Sequence, residues 1–152
     1  VLCGGGTTSL TPLEAAFACG AAVVAGSAAE VAAIAGRAPA GQRVHLRVLP
    51  STADPRRRRY GVRLGSSSAL AAARAVVDAP TLVLAGLDCA IGHQLSRFRV
   101  FEACLREAMA FAAVLRSRLH VPVPAVNLGG GHAVACAGRD TDFALAAFAP
   151  VT

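Results

Sequence analysis

No lysine occurs anywhere in the 152 residues. All fifteen basic side chains are arginine, so the formal net charge of +6 rests on groups that stay protonated at any accessible pH. Three chemistries are thereby closed to this polypeptide's own side chains: Schiff-base formation with a carbonyl, lysine general-base catalysis, and the lysine of a phosphate-binding loop. Long apolar runs are lacking too. Glu30 interrupts the stretch 21–36, and Gly, Ser or a charge breaks each of the others before membrane-spanning length, which predicts no transmembrane helix. No charged segment followed by an apolar run and a small-residue cleavage site opens the chain, so a cytoplasmic location is expected. Nor does a methionine stand at position 1; Val1-Leu2-Cys3 reads as a strand met midway, the expectation for a fragment. Five scattered cysteines (Cys3, Cys19, Cys89, Cys104, Cys136) are an odd number, most of them in apolar settings suited to reduced thiols, so no disulfide framework is expected.

What is present is apolar and periodic. Hydrophobic residues make up 55% of the chain, ample for the core of one globular domain. Short β-type runs alternate with helical stretches that carry start signals, the pattern of a parallel sheet covered by helices. The predicted strands are Val1 to Cys3, Ala22 to Ala25, Val44 to Leu49, Leu82 to Leu87 and Ala125 to Leu128. Between them, Thr11-Pro12-Leu13-Glu14 and Ser27-Ala28-Ala29-Glu30 are capping boxes, and Gly36 ends the helix that the second one opens. Gly65-Ser66-Ser67-Ser68 opens an Ala-rich helix through about Val77. From Ser96 to Leu119, Val100, Leu105, Met109, Ala112 and Leu115 recur at helical spacing, and the tail from Asp142 has helical character. Five parallel strands in one α/β domain are expected. Periodicity leaves open whether they form a doubly wound sheet or part of a closed barrel.

Two turns each follow a predicted strand: Gly86-Leu87-Asp88-Cys89-Ala90-Ile91-Gly92-His93-Gln94 and Asn127-Leu128-Gly129-Gly130-Gly131. The C-terminal strand edge hosts ligands in parallel α/β folds, and successive glycines let backbone N–H groups approach a phosphate. Together the turns resemble G-L-H-C-H-I-G-S-Q and L-G-G-G of the pyridoxal-phosphate-dependent diaminopimelate, ornithine and arginine decarboxylases. Leu46-Arg47-Val48-Leu49-Pro50 is similar to that family's L-R-V-N-P strand, and Arg59-Tyr60-Gly61-Val62 to its K-F-G-L segment. The likeness extends over most of the chain. It implies a partial (β/α)8 barrel, a pyridoxal-binding domain over residues 1–152 matching strands three to seven, with pyridoxal 5′-phosphate as cofactor. By the same resemblance Gly92, His93, Gly129, Gly130, Gly131, Arg47 and Ala90 are the candidate cofactor contacts.

Departures from the family pattern bear on activity. The family's cofactor-anchoring lysine lies on a first barrel strand outside this sequence, and its ring-stacking histidine and phosphate-binding serine fall at Ala90 and His93. Its eighth strand and C-terminal β domain are expected to be absent. The implied reading is a fragment or impaired member of an amino acid decarboxylase, unable to hold the cofactor covalently and inactive alone. Open sheet edges would favour a homo- or hetero-oligomer, and the alternative is a non-catalytic module that pairs with an active relative. Two further readings compete. Cys89, His93, His132 and Cys136 form a chemically sensible zinc set if they converge, and the run Pro55 to Arg59 could bind a polyanion, although only Tyr60 interleaves it with an aromatic. Nucleic acid is not the expected partner. His45 and His120 read as surface or strand-edge residues with no role.

Overall fold

The computed structural model describes residues 2–3, 10–53 and 60–134. Gly4 to Thr8, the arginine run, Cys136 and the tail from Asp142 lie outside the described residues. Ten elements alternate along the chain: β1 (Leu2–Cys3), α1 (Leu10–Ala18), β2 (Ala22–Ala25), α2 (Ala28–Ala35), β3 (Gln42–Leu49), β4 (Val62–Arg63), α3 (Ser67–Asp78), β5 (Leu82–Cys89), α4 (Phe98–Leu119) and β6 (Val126–Asn127).

Start signals in the sequence act as read at two helices. Ser27 Oγ accepts from the Glu30 N–H at 3.1 Å, while the Glu30 carboxylate reaches back to the Gly26 N–H at 2.6 Å. Ser66 caps α3 through the Ala69 N–H. The first helix begins at Leu10, a residue before the expected Thr11 cap, and Pro12 sits within its first turn, where no N–H is needed for an intrahelical bond. In α4 the sequence holds two overlapping apolar stripes. The sheet takes Phe101, Cys104, Ala108, Phe111 and Leu115, and the expected Leu105 and Met109 stay exposed on the flank. Two of the three aromatic rings of α4, Phe101 and Phe111, belong to the buried stripe and add their large apolar area to what it removes from water, while Phe98 stays exposed.

All strand pairs are parallel, in the order β1-β2-β3-β5-β6. A sixth strand not foreseen, β4, pairs with the C-terminal end of β3 through Val48 and Leu49. Its two residues are too short a run to carry a strand period. Apart from β4, order along the sheet follows order along the chain, without the reversal that defines a doubly wound sheet, and this decides for the barrel type. The two faces differ accordingly. Gln42, Val44, Leu46 and Val48 of β3 are buried under helices, whereas Arg43 is exposed and His45 and Arg47 are half-buried on the other, concave face. Val83 on β5 is 50% exposed. This is a barrel wall whose inner surface is not closed over by the described residues.

One irregularity aims the functional edge. Val44 pairs with Leu84 but His45 pairs with Gly86, so Ala85 is an extra residue in β5, a bulge. Beyond it Leu87 and Cys89 face the helices and Asp88 faces inward, opposite Arg47. Gly86 makes the bulge compact: a Cβ there would lie 2.5 Å from the Ala125 carbonyl oxygen and 2.8 Å from the His45 ring. That carbonyl accepts from the Leu87 N–H and so docks β6. We expect Gly86→Ala to destabilise the protein by about 1–3 kcal/mol in thermal or denaturant unfolding, because neither backbone nor ring can yield without loss of the β5–β6 pairing. An unchanged melting temperature would contradict this account.

Candidate functional site

Three strands end at the same level. Arg47, Asp88 and Asn127 are direct cross-strand neighbours on β3, β5 and β6. The Arg47 Nε–H donates to Asp88 Oδ2 at 2.7 Å, and Asn127 Nδ2 donates to Asp88 Oδ1 at 2.7 Å. Asp88 is only 5% exposed, so both carboxylate oxygens need these donors to offset desolvation. Asn127 then turns its own Oδ1 to the Gly129 N–H at 2.9 Å and fixes the start of the glycine turn. Gly61 packs on the other side of Arg47, where a Cβ would come within 2.9 Å of the side-chain stem.

The two glycine-bearing turns meet beyond this row. The Leu95 N–H donates to the Gly131 carbonyl, the Ala133 N–H to the Leu95 carbonyl, and Leu95 bridges to His132 in parallel fashion. Gln94 accepts the Val134 N–H through its side chain at 2.9 Å. Contact is so close that a Cβ on Gly131, whose φ is +94°, would collide with the Gly92 carbonyl oxygen. Between the turns lies an open cleft of about 290 Å³, with Arg47 and Asp88 on one side and Gly129, Gly130 and Gly131 on the other. At Gly130 a Cβ would meet nothing within 4 Å, so this residue borders open space.

Of the seven residues singled out in the sequence, Arg47, Ala90, Gly92, Gly129, Gly130 and Gly131 line this one cleft. His93 is exposed beside it, with its Cα against Gly131, and is not part of the lining. Arg47 faces the cleft. Asp88 and Asn127 were not foreseen as site residues. The available signal was a charged residue in an apolar strand end and an amide two positions before the first glycine of the turn.

Of the competing zinc set, Cys136 lies outside the described residues, and Cys89, His93 and His132 do not gather as a metal site. Cys89 is buried against Cys104, and the His132 ring stacks on Phe101 with centroids 4.6 Å apart and planes 6° from parallel. Among the described residues no three His, Cys, Asp or Glu side chains gather to hold a metal. The Cys89 thiol is pushed up from its ordinary pKa, first by the hydrogen bond with Cys104 and then by burial. Cys19, in contrast to the apolar setting expected of most cysteines, is exposed. Of Cys19, Cys89 and Cys104, only Cys19 should be labelled by a thiol reagent in the native protein, read by peptide mass mapping. Rapid labelling of Cys89 would contradict its burial.

His45 corrects another expectation, since it is no surface residue. Its ring packs on Gly86 on the inner face, and Nδ1 is buried without a hydrogen-bond partner among the described residues. Burial lowers its pKa below the ordinary 6.5; Asp88 and the Leu87 backbone oppose this, and Arg43 adds to it. The folded state therefore resists a proton that the unfolded chain accepts. The His45 contribution to stability is complete above pH 6.5 and is lost as pH falls below 6.5 through the folded-state value. His45→Phe, which keeps a ring against Gly86, should flatten the melting-temperature profile between about pH 6.5 and pH 5 relative to the parent. A parallel profile would assign the slope to other groups.

Similarity to known proteins extends over most of the chain. Residues 5–151 match the pyridoxal-binding domain of the pyridoxal-dependent decarboxylases. Diaminopimelate decarboxylase of Actinosynnema pretiosum subsp. auranticum is 32% identical over 160 residues, covering 98% of this chain and 36% of that protein. Diaminopimelate decarboxylase of Corynebacterium efficiens is 32% identical over 77 residues, or 51% of this chain and 17% of the relative. Among solved structures, diaminopimelate decarboxylase from M. jannaschii superimposes with a TM-score of 0.76 over 88% of this chain at 20% identity. AQ1208 from Aquifex aeolicus gives 0.70 over 86% at 19% identity. These two establish the barrel fold. The chain spans about a third of the length of the relatives it matches. No described helix is long and apolar enough to cross a membrane.

Proposed function

The chain belongs to the pyridoxal-dependent decarboxylases, as part of their pyridoxal-binding domain, and from that premise we propose that it holds the phosphate end of pyridoxal 5′-phosphate in the Gly129–Gly131 cleft, without a covalent bond from any of its own residues. The observation that carries this reading is the convergence of two glycine-bearing turns and one arginine on a single cleft at the strand ends. The cradle fits a phosphate: Gly130 faces open space, and Arg47 uses only Nε on Asp88 among the described residues. That leaves its two terminal nitrogens for an anion, matching the planar fork to phosphate oxygens.

When bound, the cofactor supplies an electron sink for cleavage at an amino acid's α-carbon. This chain's residues bind and orient. Gly129 to Gly131 offer backbone approach, Arg47 offers charge, and the small Ala90 side chain leaves space where the related motif carries a ring. With no lysine among its 152 residues, the anchoring amine must come from another part of a longer protein or from a partner. The reading is therefore one segment of an amino acid decarboxylase acting on diaminopimelate or a basic amino acid, active only when completed. Ala90 and His93, which replace the ring-stacking and phosphate-binding side chains of the motif, favour a second version: a non-catalytic barrel module that pairs with an active relative in an oligomer.

Gly130 gives a clean test. Its backbone permits a side chain and the space beside it is empty, so Gly130→Val should fold as the parent does while filling the cleft. In a pyridoxal phosphate titration followed by visible circular dichroism, we expect saturable binding with an induced band in the parent. The variant should weaken binding at least about tenfold, with melting temperature unchanged. Absence of saturable binding in the parent, or equal binding in the variant, would overturn the assignment of this cleft.

A further inference from the structure

We propose that Asp88 is a positioning residue that sets both walls of the cleft at once, although its charge has the same sign as the phosphate the cleft is read to hold. The inference rests on the cofactor reading above for its ligand, but its geometry stands independently. Asp88 lies at the centre of the three-strand row and is 5% exposed. One oxygen takes the Arg47 Nε–H and the other takes Asn127 Nδ2, each at 2.7 Å. The first bond fixes the guanidinium beside the cleft. The second fixes the rotamer of Asn127, whose Oδ1 holds the Gly129 N–H at 2.9 Å. The bulge at Ala85 is what brings Asp88 to this register; an unbroken ladder would place Leu87 opposite Arg47. The related motif carries histidine at this place, where this chain has Asp88.

The chemistry of the carboxylate is specific here. It has two acceptor oxygens and no donor, and both neighbours present donors. An amide at position 88 has one accepting atom where the carboxylate has two, and its other end donates. If it accepts from Arg47, its NH₂ faces the NH₂ of Asn127. Relief of that clash by an Asn127 flip would set an NH₂ against the Gly129 N–H. The row therefore tolerates one exchange: Asp88→Asn combined with Asn127→Asp. Asn at 88 then accepts from Arg47 and donates to Asp at 127, whose second oxygen accepts the Gly129 N–H. All three bonds return with the net charge unchanged.

The experiment compares the parent full chain, Asp88→Asn, and the Asp88→Asn/Asn127→Asp exchange by two readouts. One is hydrogen exchange of the Gly129 amide; the other is the affinity for inorganic phosphate and for pyridoxal phosphate. We expect Asp88→Asn to speed Gly129 exchange and weaken phosphate binding about tenfold, and the double exchange to restore both to within about threefold of the parent. A carboxylate acting only as a repelling charge gives the opposite sign: Asp88→Asn would then tighten binding, and that result overturns the proposal. Unchanged Gly129 exchange in Asp88→Asn overturns it as well. If the parent binds neither probe, the cofactor reading fails and the exchange rates alone decide whether Asp88 positions the turn. If Asp88→Asn does not fold, the double variant decides: parent-like exchange upholds the network, and failure to fold or fast exchange ends it.

Discussion

One buried carboxylate, held by a donor from each side, is the constraint on which the functional edge depends. Isolated in a strand end, Asp88 would be costly to desolvate. Paired with Arg47 and Asn127, it becomes a clasp across three parallel strands at the level where the chain leaves the sheet. Parallel strands are not joined by tight turns, so nothing local fixes how their ends stand relative to one another. Here a side-chain row does so, and both glycine turns begin within two residues of it. Breaking one partner leaves an uncompensated buried group, which makes such a row all-or-none in effect.

Close backbone approach is the second requirement, and it is met by absent side chains. Gly86 admits the Ala125 carbonyl and the His45 ring, and Gly131 admits the Gly92 carbonyl. Each contact joins segments distant in sequence. The helix side provides the opposing rigidity: Glu107 on α4 accepts from the Ser51 N–H at 2.7 Å and from its hydroxyl, tying the loop after β3 to the helix that follows β5. Phe101 on the same helix buries its ring and stacks on His132 just past the glycine turn. The cleft is thus braced from below by the polar row and from the side by α4.

Much of this was legible in the sequence, for identifiable reasons. The strands β2, β3 and β5 and the helices α2 and α3 announce themselves through apolar period and through Ser27 and Ser66, signals that act within a few residues. Convergence of Arg47, Gly92 and Gly129 to Gly131 was readable from the family likeness of their turns. What escaped reading depends on register between strands. A one-residue bulge at Ala85 inverts which side chains of β5 face inward, and its one local sign is Gly86 within the apolar run, which does not say where the register shifts. The partnership of Asp88 with Asn127 and the half-burial of His45 follow from that register, whereas β4, at two residues, is too short to carry a strand period. On α4 the difficulty was different: two apolar stripes overlap, and only the sheet decides between them.

The composition and the site bear on each other through arginine. An ammonium is a single nitrogen, and anchoring it to a buried carboxylate leaves it little freedom to meet a second anion at a fixed angle. A guanidinium separates the two tasks. Nε lies along the stem and can be tied to Asp88, while the terminal nitrogens project beyond the tie in the same rigid plane. Arg47 has a quarter of its side chain exposed and Asp88 only 8%, as expected if the anchored end is buried and the working end faces the cleft. Lysine at position 47 could neutralise the charge of Asp88 but could not both clasp it and reach past it. In a chain whose basic residues are all arginine, the phosphate reading of the cleft relies on backbone amides and one forked cation, and no side chain of these 152 residues supplies the amine of the family's covalent chemistry.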